Sequence, residues 1–95
     1  MRFNPLLDVV VEVGYRGHAV RSVAHRRPSG MFSPSVAVRD LRHRHGGVFF
    51  EREFREEFPD ADAAIDSALR EGHRVVEARL DSLEEVVKSK LMEAV

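Results

Sequence analysis

The chain has 95 residues, of which 43% are hydrophobic and 33% charged, with a formal net charge of −1, no cysteine and no tryptophan. This length suits one small domain, and the lack of cysteine excludes a disulfide framework, a cysteine-ligated metal site and a thiol nucleophile. No apolar run approaches the roughly 18 residues of a membrane helix, and the first residues lack the apolar segment of a signal peptide, so we expect a cytoplasmic protein.

Charge is distributed unevenly along the chain. Residues 1–47 contain eight arginines and three acidic residues, whereas residues 48–95 contain seven basic and thirteen acidic ones. The two halves can neutralise each other within one molecule or across a dimer, or the basic half can bind a polyanion. We therefore predict a single domain, 1–95, with a basic, strand-rich part over 1–58 and an acidic, helical part over 60–95.

The first half of the chain predicts short strands separated by turns. Residues 9–13 are rich in β-branched side chains and favour an extended segment, although Asn4-Pro5 is typical of a helix start. Residues 14–17 and 26–30 contain the glycines and the proline of turns, and residues 18–25 between them read as a half-buried strand.

Residues 31–42 predict the next strand. Phe32, Val36 and Val38 share one face of it, while Pro34 cannot donate a backbone hydrogen bond and therefore places the strand at a sheet edge at that point. The stretch 48–58 is rich in helix-forming glutamates, but the Gly46-Gly47 turn before it and the proline after it favour a strand that returns along residues 31–42.

A long helix follows Asp60, the expected N-cap. Apolar residues then recur in steps of three and four: Ile65, Leu69, Gly72, Val76, Leu80, Leu83, Val87, Leu91 and Val95. A continuous helix over 61–94 would be about 50 Å long and would extend past its own sheet. It either breaks near Asp81, where the sequence resembles a capping box, or its stripe is covered by a second subunit.

Together these elements predict an α+β fold. A three-stranded antiparallel meander, four-stranded if residues 8–13 are extended, packs on a long or kinked C-terminal helix. The expected core combines apolar residues of the strands with the first half of the helical stripe: Val20, Val36, Val38, Phe50, Phe54, Phe58, Ile65, Leu69 and Val76.

The order of Tyr15-Arg16-Gly17, three strands and an acidic, alanine-rich helix start over 60–65 is similar to that of small bacterial βββα-domain proteins, a family with no settled activity. The resemblance covers residues 15–79 and implies the fold. It brings no catalytic or binding residues, and residues 80–95 extend beyond the usual unit.

The preferred functional hypothesis is a non-enzymatic domain that forms a homodimer or binds an unidentified protein partner. Its interface would lie in residues 80–95, because Leu80, Leu83, Val87 and Leu91 exceed what a short chain can cover. The alternative is nucleic-acid binding through arginines of the strands and loops, with a strong dependence on salt. These are Arg16, Arg21, Arg26, Arg27, Arg39, Arg42 and Arg44.

Catalytic and metal chemistry find little support in the sequence. No nucleophile elbow, phosphate-binding loop or zinc-protease motif is present, so we predict no enzyme and no cofactor. His43 and His45 have a spacing that could bind a metal from one strand face, but the arginines on either side disfavour a dication. We therefore expect no physiological metal site.

Overall fold

Four strands and one helix make up the computed structural model, which describes residues 8–42 and 46–93. The strands are β1 (Val9–Tyr15), β2 (His18–Arg26), β3 (Phe32–Asp40) and β4 (Val48–Glu53), and the helix is α1 (Ala61–Glu93). The sheet is antiparallel with the order β1-β2-β3-β4, and α1 packs across one face of it. The predicted α+β fold is confirmed. The segment for which a fourth strand was left open, residues 8–13, belongs largely to β1, so the sheet is four-stranded.

Two tight connections set the register of the first three strands. Arg16 and Gly17 connect β1 to β2, and both have positive φ angles, 49° and 79°. This is the backbone of a two-residue hairpin turn, which Gly17 adopts without strain and Arg16 at some cost. Between β2 and β3, Gly30 has a φ of 87° and donates to the Arg27 carbonyl over 2.8 Å.

Pro34 lies in β3, which is an inner strand of the sheet. The ladder between β3 and β4 ends at the pair formed by Glu53 and Ser35, the residue that follows the proline. The Pro34 carbonyl still accepts a bond from the Phe54 amide, but no ladder bond on that side requires an N–H from residue 34. The expectation of a sheet edge therefore holds locally, although β3 as a whole has a strand on each side.

The strand predicted over 48–58 is shorter in the structure. β4 ends at Glu53, and Phe58 makes only an isolated bridge to Phe32, with N–O distances of 2.8 and 2.7 Å. A register shift between Val38 and Arg39 accommodates an extra residue in β4. Of the residues expected in the core, Phe50, Phe54 and Phe58 are half-buried and pack against it from its margin.

The core lies between α1 and the inner face of β2 and β3. One cluster contains Val20, Val36, Val38, Ala68 and Val76, and a second contains Ala24, Ala64 and Ile65. Asp60 caps the helix, since its Oδ1 accepts a bond from the Ala63 amide over 2.7 Å. The helix continues through Asp81 without a break, so the capping-box pattern there starts no second helix.

Candidate functional site

The last third of α1 extends beyond the sheet. The helix contacts β2 and β3 extensively and β1 less, and Leu80 is its last residue that packs on the core. Residues 81–93, which we call the helix extension, add about 20 Å of helix. The molecule is accordingly 62 Å long, with a radius of gyration of 16.9 Å against the roughly 12–13 Å of a compact domain this size.

The helix extension presents aliphatic side chains to solvent. Leu83, Val86, Val87 and Leu91 are 43%, 51%, 56% and 64% exposed. Leu83, Val87 and Leu91 follow Val76 and Leu80 in steps of three and four, so they continue the helix face that packs on the sheet. Of the four predicted interface residues, the structure therefore assigns Leu80 to the protein's own core and leaves the other three uncovered. Val86 was not among the predicted interface residues, because it lies beside this stripe rather than in it.

Charge along the helix extension changes sign. Its first turns contain Asp81, Glu84 and Glu85, and basic residues follow at Lys88 and Lys90. Lys88 Nζ lies 3.4 Å from Glu84 Oε1 within the same helix, and both side chains are largely exposed. An ion pair of this kind contributes only a few tenths of a kcal/mol, so both residues remain available to a partner.

A buried polar cluster anchors α1 where the helix extension begins. Asp40 is buried and accepts bonds from Arg42 Nε at 3.1 Å and Nη2 at 3.0 Å, and from Arg79 Nη2 at 3.3 Å. The hydrogen bonds from Arg42 hold the pKa of Asp40 well below its ordinary value, against the opposing effect of burial. The Arg79 guanidinium also lies 4.1 Å from the centre of the Phe49 ring. Arg79 thus connects α1 to β3 through Asp40 and to β4 through Phe49.

His18 lies beside this cluster and is fully buried. Its Nδ1 is 2.9 Å from the Arg16 carbonyl oxygen, which can only accept, so Nδ1 carries the proton. Nε2 lies 3.9 Å from Asp40 Oδ2 and has no hydrogen-bond partner among the described residues. The ring packs edge-on against Phe49, with 5.9 Å between the ring centres. This histidine is part of the structural anchor and does not line an open site.

A second anchor joins the β1–β2 turn to the other flank of α1. The Tyr15 hydroxyl donates to Glu77, and Arg16 Nη1 lies 2.6 Å from Glu77 Oε2. The hydrogen bond with Glu77 raises the pKa of Tyr15, and the same bond, together with that of Arg16, lowers the pKa of Glu77. The Tyr15 ring also packs on His73 at 4.2 Å. Arg79 and Glu77 thus attach α1 to the sheet at two different places. These two attachments set the direction in which the helix extension projects.

The arginines predicted to bind nucleic acid are spread over several surfaces. Arg16 and Arg42 are engaged at the two anchors. At the opposite end, Arg26 lies over the Phe32 ring at 5.5 Å, and Arg27 Nε donates to Ser33 Oγ over 2.5 Å. Arg21 and Arg39 lie on the sheet face away from α1, and Arg44 lies outside the described residues.

That outer sheet face is open and carries charges of both signs. It contains two shallow depressions of about 350 and 260 Å³, both lined by Arg21 and by Val48. Glu51 and Glu53 line the larger one, and Glu12 pairs with Arg39 over 3.3 Å in the smaller one. Alternating acidic and basic groups over a small apolar floor suit a protein surface better than a phosphate backbone.

His43 and His45 lie outside the described residues. Among the residues that the structure describes, no group of three or more histidine, aspartate or glutamate side chains could hold a metal ion. Within the same ranges, no helix combines the length and the apolar character needed to cross a membrane.

Comparisons of the chain with protein-family models, with curated proteins and with solved structures found no match. The resemblance to bacterial βββα-domain proteins therefore stays a prediction.

Proposed function

We propose that the protein is a non-enzymatic, cytoplasmic interaction domain that forms a homodimer through its helix extension. The observation that carries the proposal is the exposure of Leu83, Val87 and Leu91 on the same helix face that forms the core further upstream. Water is an unfavourable environment for such a stripe, and a second copy supplies an identical stripe to cover it.

The charges of the helix extension favour an antiparallel arrangement of the two copies. If Val87 lies on the two-fold axis, Leu83 of one copy lies at the height of Leu91 of the other, and the acidic first turns of one helix extension lie beside the basic last turns of the other. A parallel arrangement would instead place acidic turns beside acidic turns and basic turns beside basic turns. Attraction between oppositely charged segments beside an apolar seam favours one orientation of a helix pair.

The expected affinity is modest. Each aliphatic side chain of the helix extension is about half exposed, so burying it yields on the order of 1 kcal/mol. Four such side chains from each copy give a total comparable with the 4–15 kcal/mol that association costs in lost freedom. We therefore expect a reversible dimer that dissociates on dilution.

Sedimentation velocity over a concentration series tests the proposal. Val87→Glu should weaken association at least tenfold because it places two carboxylates at the axis. Val48→Glu is the matched control, since Val48 has similar exposure but lies on β4. A parent chain that is monomeric at every concentration, or equal effects of the two substitutions, would contradict the proposal.

Charge reversal tests the orientation. Glu84→Lys reduces the acidic charge that faces the basic turns of the other copy, and Lys90→Glu reduces the basic charge that faces the acidic turns, so each should weaken the antiparallel dimer. In a parallel dimer the same substitutions would relieve repulsion between like charges and strengthen association, and that result would contradict the antiparallel arrangement.

Nucleic-acid binding through the arginines stays the alternative prediction. The described arginines face several directions, and on the outer sheet face Arg21 and Arg39 stand among glutamates. A fluorescence titration with single-stranded RNA and duplex DNA over a range of salt concentrations tests this alternative. Binding that weakens steeply with salt would support it, and no binding at low salt would dispose of it.

A further inference from the structure

The two edges of the sheet differ in how they are protected. The β4 edge has a bulge and a charged run, Glu51, Arg52 and Glu53, which are the devices that discourage strands from adding to a sheet. The β1 edge has the sequence Val-Val-Val-Glu-Val-Gly-Tyr, and Val9 and Val10 are 40% and 48% exposed. Within the described chain, β1 pairs with β2 on one side and with no strand on the other.

The hairpin geometry determines which backbone groups face this open edge. Tyr15 and His18 close a two-residue turn and therefore form a hydrogen-bonded pair. Alternation along the strand then directs the N–H and C=O groups of residues 9, 11, 13 and 15 toward β2. Those of Val10, Glu12 and Gly14 point outward, where another strand can bond to them.

We propose that β1 pairs antiparallel with β1 of a second copy, with Val11 on the two-fold axis, to form a continuous eight-stranded sheet. In this register Val10 of each copy exchanges both backbone bonds with Glu12 of the other. Val9 of each copy lies opposite Val13 of the other on the face that carries α1. The exposed valines of the edge thereby become cross-strand contacts.

Electrostatics select this register from its neighbours. If the two-fold axis moves from Val11 to Glu12, Glu12 lies directly opposite Glu12. If the axis moves to Val10, Asp8 lies opposite Glu12. Like charges directly opposite each other destabilise an antiparallel pair. Shifts that move a residue to the other face of the sheet are excluded, because they would oppose the apolar inner positions to the polar outer ones. The strand is thus complementary to itself in this alignment and not in the adjacent ones, which favours a second copy as the occupant.

This contact uses a different surface from the helix extension. A two-fold axis through Val11 keeps both helices on one side of the joint sheet and directs their extensions to opposite ends. The two contacts can therefore exist together, and a chain with two such self-complementary surfaces forms assemblies larger than a dimer. Failure of one contact leaves the other intact, so the two proposals are tested separately.

Disulfide trapping tests the register, because the chain contains no cysteine of its own. Val11→Cys places two thiols on the axis in a non-hydrogen-bonded pair, where the Cα–Cα distance of about 4.5 Å lies within the disulfide range. Val13→Cys is the matched control on the same strand and face, since its counterpart is Val9. We expect a covalent dimer of the first variant under mild oxidation and little of the second. Equal trapping of both, or none of Val11→Cys, would overturn the proposal.

A charge on the edge provides the second measurement. Val10→Lys should weaken association at least tenfold, measured by sedimentation in the Val87→Glu background so that the helix contact does not contribute. Val48→Lys, on the opposite edge strand with 49% exposure, should have no such effect. Circular dichroism verifies that each variant retains its fold. If Val10→Lys leaves the association unchanged, the edge does not pair with a second copy and the proposal is wrong.

Discussion

The helix approaches the sheet closely at Gly72, and replacement of this glycine by alanine provides a sharp test of the packing. In an exposed helix, glycine to alanine stabilises by about 1 kcal/mol, because glycine loses more backbone freedom on folding. Gly72 is buried, and a Cβ atom built on it would lie 2.3 Å from Val20 Cγ1 and 3.1 Å from Val36 Cγ2. We expect Gly72→Ala to destabilise the protein.

The magnitude follows from the overlap. Carbon atoms in contact are separated by about 3.5–4.0 Å, so the new methyl overlaps Val20 by more than 1 Å. Val20 is fully buried and β-branched, so it cannot rotate aside, and the helix must move away from the sheet. Overpacking of this kind costs about 1–3 kcal/mol, here at the upper end. After the gain in helix propensity, the net loss is about 1–2 kcal/mol, or a fall of at least roughly 4 °C in Tm.

Urea denaturation of four chains isolates the cause: the parent, Gly72→Ala, Val20→Ala and the double variant. Removing the Val20 methyls makes room for the new Cβ, so in that background Gly72→Ala should be neutral or stabilising. Ala78→Gly, at an exposed helix position, is the control for propensity and should cost about 1 kcal/mol. A Gly72→Ala variant as stable as the parent would refute the close contact.

Three further substitutions test the cap, the anchor and the turn. Asp60→Ala removes the acceptor of the Ala63 amide and should lower the free energy of unfolding by about 1 kcal/mol in urea titrations; an unchanged midpoint would contradict the cap. Asp40→Asn should cost about 1.5–3 kcal/mol at neutral pH. Because the folded pKa of Asp40 lies below its unfolded value near 4, its carboxylate stabilises the fold above that pH. The difference in stability between the Asp40→Asn variant and the parent should therefore shrink as the pH falls below 4. A difference in Tm that stays constant over this pH range would refute this reasoning. Arg16→Asn places a residue that tolerates positive φ in the turn, and at high salt, where the ion pair with Glu77 is screened, it should raise Tm slightly rather than lower it.

Local patterns were sufficient to predict most of the strands and the helix start. The alternation of Phe32, Val36 and Val38 gave the inward face of β3, and Asp60 before an alanine-rich segment gave the N-terminus of α1. Both signals depend on neighbours within a few residues, so one sequence contains them in full. The same holds for the extent of the apolar stripe, from which the exposed helix extension was anticipated.

Features that depend on contacts between distant residues could not be predicted from local sequence patterns. The end of β4 at Glu53 is set by Pro34 and by the bridge between Phe32 and Phe58, which join parts of the chain that sequence spacing does not relate. The anchor formed by Asp40 and Arg79 likewise joins residues 39 positions apart. Neither the valine-rich β1 edge nor its contrast with β4 was apparent before the strand order was known.

The strand order also bears on how the chain folds. Each strand pairs with its immediate neighbour in sequence, so the three hairpins need only short loops to close, and such contacts form within microseconds. The docking of α1 on β2 and β3 is the step that joins distant parts of the chain. We therefore expect a transition state in which the meander is largely assembled and the helix is not yet docked. Truncations at Val76 should then mainly accelerate unfolding, whereas truncations at Val23, which lies opposite Val10 on the outer face of the sheet, should mainly slow refolding.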